Sequence, residues 1–106
     1  MMVPMPSLEP GHRALAHLDT ALAARPEKNG HELSAALRGL AELRDGFVAV
    51  RRREPDHPAV GLLAPVNGVI SSVLAAQFPI GEVQWEALVK ARDWLAGVVE
   101  AGYLEQ

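Results

Sequence analysis

Four histidines, His12, His17, His31 and His57, are the side chains best suited to hold a metal or move a proton, and the chain has no cysteine. Helical metal sites place ligands at i and i+3 or i+4, where they share a face, with carboxylates alongside. His12 and His17 are five apart, and neither Glu9 nor Asp19 repairs that spacing, so no metal and no cofactor is expected. Glu82, Glu86 and Lys90 recur at steps of four, which makes a solvated, salt-bridged stripe rather than a general acid and base. Ser71 and Ser72 lie in an apolar helical stretch, where a hydroxyl bonds back to a carbonyl one turn earlier. There is no Gly-x-Ser-x-Gly, and no glycine-rich phosphate loop follows a strand. No catalytic residue is therefore expected. Trp85 and Trp94 project from different faces of one helix, so one is expected in the core and the other is free for an interface or a pocket. A pocket between the third and fourth helices, lined by Val69, Val73, Trp85 and Leu88, would suit an apolar small molecule.

One local pattern carries a further chemistry. His31-Glu32-Leu33-Ser34-Ala35-Ala36-Leu37, with Leu40 after it, resembles the phospho-accepting H-box of sensor histidine kinases, in which His-Glu-Leu lies on a helix of a dimeric four-helix bundle. The resemblance implies that His31 accepts phosphate and Glu32 assists. It covers about ten residues of the 106. Ser34-Ala35-Ala36 stands where that family has a basic residue and Thr-Pro. No nucleotide-binding domain follows, and a first-turn Glu is independently explained by helix capping.

The elements that would position these groups are helices separated by Pro and Gly. The first opens near Ser7 or Glu9, accepts Pro10 early and ends before Pro26, with Leu15, Leu18 and Leu22 facing inward. Asn29 and Glu32 have the spacing of a capping box, the Asn side chain taking an orphan amide and the Glu reaching back. Leu33, Leu37, Leu40, Leu43, Phe47 and Val50 then mark one face of a long second helix. Gly39 and Gly46 run beside that face; each costs about 1 kcal/mol relative to alanine, so they either admit a closely packed neighbour or are simply tolerated. The third helix is capped by Asp56 and broken or begun near Pro65, running to Gln77. The fourth spans about Glu82 to Ala101, with Trp85, Leu88, Val89, Leu95, Val98 and Val99 inward and Gly102 as its C-cap.

Charge is unevenly distributed. Residues 1–56 carry eight acidic and eight basic side chains and residues 57–106 five and two, while residues 57–81 carry none. The mildly acidic second half argues against nucleic acid, which requires a basic face. Arg51-Arg52-Arg53, the only basic run, suits the negative end of a helix dipole. The absence of cysteine makes a reducing cytoplasm the default compartment. The N-terminus lacks the pattern of a signal peptide, and residues 1–6 are expected as a disordered tail. The charge-free stretch reaches the ~20 residues of a membrane span, but Pro65, Asn67, Gly68, Ser71, Ser72 and Gln77 dilute it, so no membrane partner is expected.

These patterns predict a single all-α domain over residues 1–106, an antiparallel four-helix bundle. A third helix apolar nearly all round must be covered on every side. That requirement predicts a homodimer through Leu62, Val69, Val73 and Ala76, with central burial of the helix within one chain as the competing arrangement, and a non-catalytic interaction or adaptor module as the function. The alternatives are a small-ligand binder or helical enzyme at Trp85 and Leu88, and histidine phosphotransfer through His31.

Overall fold

The structure, a computed structural model, describes residues 3–100. Among them are four packed helices and no strand: α1 (Glu9–Ala23), α2 (Gly30–Arg53), α3 (Leu63–Gln77) and α4 (Trp85–Glu100). A 3₁₀ turn over Pro58–Leu62 leads into α3.

Local chemistry accounts for most boundaries. Pro10 sits in the first turn of α1, where its missing N–H is no loss. Asn29 caps α2, its side-chain oxygen accepting from the Glu32 N–H at 3.2 Å. The reciprocal half of the capping box is absent, because the Glu32 carboxylate turns to His17 Nδ1, 2.6 Å away on α1. Arg51–Arg53 fill the last turn of α2, at the negative end of its dipole.

His57, rather than Asp56, caps the segment before α3 by accepting the Ala59 N–H. Pro65 is the third residue of α3, where the amide would lack an intrahelical partner in any case, so the break falls before the helix as the 3₁₀ turn. The fourth helix begins at Trp85 rather than Glu82, since Gly81 adopts a φ of 89° and the chain is still turning through Glu82–Gln84. Ala101 and the Gly102 cap lie outside the described residues.

Each helix packs its backbone closely against two others: α1 and α3 both lie against α2 and α4. The molecule measures 48 × 23 × 19 Å, two helix diameters in each short direction at about 10 Å apiece. Its core joins Leu15, Leu18 and Leu22 to Leu33, Leu40, Leu43 and Phe47, and these to Val66, Val69 and Val73 and to Leu88, Leu95 and Val99. Leu37, predicted inside, is half-buried at the edge of this core, as are Trp85, Val89 and Trp94.

The two interior glycines of α2 have a packing reason. A Cβ on Gly39 would stand 2.7 Å from the Pro10 carbonyl oxygen and 3.1 Å from Ala14 Cβ, so α1 crosses α2 there at backbone contact. Gly46 lies under Pro6, whose Cβ would be 3.3 Å from an added Cβ. Pro6 belongs to the segment expected as a disordered tail. The described part of that segment is instead held: Val3 and Met5 pack on the core, and both backbone polar groups of Val3 are hydrogen bonded. Small residues on α2 and a cap donated from beyond residue 50 are what fix it.

Candidate functional site

The end of α3 presents the largest exposed apolar side chains among the described residues. Leu74 is 43% exposed, Phe78 72% and Ile80 fully so. Their position follows from helix geometry. Val66, Val69, Val73 and Ala76 occupy the inward stripe, so residues between those positions, Asn67, Leu74 and Ala75 among them, face out. At the C-terminus the Phe78 N–H still bonds to the Leu74 carbonyl at 2.9 Å, which keeps the Phe78 ring beside Leu74. Pro79 and Gly81 then turn the chain and leave Ile80 at the tip. An apolar groove of about 480 Å3 runs between Leu74, Ala75, Phe78, Pro79 and Ile80, with Glu82 and Gln84 at its edge.

The outward side of α3 above this groove is built from small uncharged residues. Gly61, Ala64, Gly68, Ser71, Ala75 and Phe78 alternate at steps of three and four, and all are exposed. A Cβ on Gly61 or Gly68 would have no neighbour within 4 Å, so no contact inside the chain requires glycine at either place. Pro58–Gln77 has a mean hydropathy of 1.8 and is long and apolar enough to cross a membrane, and 39% of the stretch is buried within the bundle.

The base of the patch is fixed by polar ties between helices. Gln77 donates from Nε2 to the Gly30 carbonyl at 3.1 Å and to Ser34 Oγ at 2.8 Å, and Lys28 Nζ donates to the Gln77 carbonyl at 2.8 Å. On the far side of the bundle Arg92 reaches from α4 to both carboxylate oxygens of Asp19 on α1, at 2.6 and 3.3 Å. Hydrogen bonding to Asp19, and then to Asp93, holds the guanidinium above its ordinary range. These contacts position helices and bring no reactive group to the patch.

The residues predicted for a dimer face lie elsewhere. Leu62, Val69, Val73 and Ala76 are buried within the single chain, Val73 completely. The chain's own α2 and α4 cover that stripe, and the opposite side of α3 is left exposed. Leu88, predicted to line a pocket with Trp85, is also fully buried, and Trp85 packs against the core. A groove of about 400 Å3 does run between α3 and α4. Its aromatic wall is Trp94 rather than Trp85, beside Gly68, Val69, Ser72 and Lys90.

His31 is exposed on the first turn of α2, and the adjacent Glu32 carboxylate is engaged by His17. Among the described residues no three of His, Asp and Glu converge as a metal site would require. Leu74, Phe78 and Ile80 were missed as site residues. The signal for them was the charge-free run itself, projected on a helix with its valines turned inward. Comparison with protein-family models, with curated proteins and with solved structures finds no match for this chain.

Proposed function

We propose that this protein is a non-catalytic helical interaction module, an antiparallel four-helix bundle that self-associates through the outward side of α3 and the Phe78–Ile80 turn. The observation that carries the reading is the exposure of Leu74, Phe78 and Ile80 together on a segment without a single charge. Apolar area removed from water contributes about 25 cal/mol per Å2, and three large side chains grouped this way gain most when covered together.

The occupant is a second copy. A surface with no charge meets itself in a two-fold arrangement without like-charge repulsion, and the glycines and small residues let two α3 helices approach closely. Gly68 then acquires the packing reason that the single chain does not supply.

Light scattering on a size-exclusion column tests this with wild type, Phe78→Glu and Ile80→Glu. A wild-type dimer that either substitution converts to a helical monomer supports the reading. A wild type that stays monomeric at high micromolar concentration overturns it, as does a dimer indifferent to both changes. A wild-type monomer that floats with phospholipid vesicles would assign the patch to lipid instead. Val73→Glu is unsuitable as a probe, because Val73 lies in the core and a charge there unfolds the chain.

A second reading, binding of a small apolar ligand, rests on the groove walled by Trp94 between α3 and α4. Trp fluorescence against a ligand panel, repeated on Trp94→Phe, separates it from the first.

A further inference from the structure

His57 is the one buried polar or charged side chain among the described residues, 5% exposed. Its ring is fully partnered. Nδ1 accepts the Ala59 N–H at 3.0 Å, so the ring proton is on Nε2, which donates to the Val3 carbonyl at 2.7 Å. The Val3 N–H in turn donates to Glu54 Oε1 at 2.7 Å. Both backbone groups of Val3 are thus held by side chains more than fifty positions away. Beyond Val3 the segment follows α2, with Pro6 over Gly46 and with Met5 and Leu8 against the core. Val3, Pro6, Gly46, Ala49 and Val50 line a cavity of about 430 Å3 along this contact, with Arg52 and Arg53 at its edge.

We propose that residues 3–8 are a strap latched by the neutral imidazole of His57, and that protonation of the ring releases the strap and bares α2 at Gly46 and Val50. A protonated ring carries N–H at both nitrogens. Nδ1–H would then face the Ala59 N–H, donor against donor, and the buried amide would lose its acceptor while a cation sat in a closed site. Turning the ring out to water relieves both faults, and Val3 loses its hydrogen bond in the same movement.

The charged side chains flanking His57 in sequence are Arg53, Glu54 and Asp56; Glu54 takes the Val3 N–H, and Arg52 and Arg53 border the cavity beside Val3. The strap and the 3₁₀ turn packed against the ring carry no titratable side chain over residues 3–8 and 58–62.

The test is NMR of the full chain between about pH 8 and pH 5, the range in which imidazoles titrate. Long-range ¹H–¹⁵N spectra read the His57 tautomer, Val3 amide exchange and the Met5 methyl signal report the strap, and circular dichroism reports the bundle. The expected result is an Nε2–H tautomer at the alkaline end. Val3 protection should then fall at least tenfold as the ring protonates, with helicity unchanged.

His57→Gln, which can still donate to Val3 but does not titrate, should keep the strap closed at both ends of the range. His57→Asn, which can still accept from Ala59 but cannot reach Val3, should leave it open at both. The proposal is overturned if Val3 protection is unchanged while the ring titrates, if it is lost only together with the helices, or if the pH response survives His57→Gln. Loss of the response in Glu54→Gln would overturn it too, by moving the switch to that carboxylate. Should either His57 variant fail to fold, the wild-type titration and Glu54→Gln still decide.

Discussion

The carbonyl oxygen of Pro10 on α1 stands 2.7 Å from the point a Cβ would occupy on Gly39 of α2. Real Cβ atoms do not tolerate a backbone oxygen at that distance, so the helices must separate if Gly39 acquires a side chain. Alanine in a helix interior is worth about 1 kcal/mol over glycine by propensity alone, but prying apart a packed crossing costs about 1–3 kcal/mol. Gly39→Ala is therefore expected to lower unfolding stability by up to ~2 kcal/mol in urea. Gly97→Ala on α4, where an added Cβ meets nothing within 4 Å, should raise it by about 0.5–1 kcal/mol. Equal effects at the two sites would refute the close crossing.

Asn29 closes the N-terminus of α2 by accepting the Glu32 N–H. Asn29→Ala removes that acceptor and should cost about 1 kcal/mol, with Asn29→Gly costing only a few tenths. Glu32→Gln should cost less than the cap, since the half-exposed pair with His17 is a surface contact worth about 0–1 kcal/mol. A denaturation series in which Glu32→Gln exceeds Asn29→Ala would show that the side chain, not the capped amide, sets this end.

Arg92 joins α4 to α1 through Asp19, and its guanidinium is held further above a value already beyond the stable pH range of proteins. A raised cation contributes below its unfolded value and is lost only above its folded one, so on the Arg92 side no accessible pH removes the bridge. Salt is the lever instead. Both side chains are partly exposed, which limits the pair to about 0.5–1 kcal/mol at low ionic strength. Arg92→Ala should therefore destabilise measurably at low salt, and the difference from wild type should shrink toward the packing contribution near 1 M, where the screening length is about 3 Å.

What could be read in advance follows from the range of the interactions concerned. The all-helical fold, the Asn29 cap and the buried face of α2 rest on spacings of three and four residues, and one sequence displays those directly. The composition of α3 concealed its facing, because Val69 and Val73 inside and Leu74 and Phe78 outside are all apolar. Only packing against α2 and α4 told them apart. The cap pairing of Glu32 failed for a related reason: His17 lies fifteen positions away, and nothing in the local pattern announces it. The Val3–His57 latch spans 54 positions and joins a backbone carbonyl to a ring nitrogen, a contact without any sequence signature.

Gly68 separates the two roles of α3. In the single chain a Cβ at this position has open space, so Gly68→Ala should strengthen the folded monomer by about 0.5–1 kcal/mol. In a dimer built on the outward side of α3, the same methyl group stands between two closely approaching helices and pushes them apart. Expected, then, is a higher melting temperature for the dilute monomer together with weaker self-association, by about tenfold if the separation costs ~1.4 kcal/mol. Sedimentation equilibrium and thermal melts of the same preparation check both halves. Stabilisation without weaker association would remove Gly68 from the contact and confine any self-association to Leu74, Phe78 and Ile80. Destabilisation of the monomer would instead contradict the open space around Gly68.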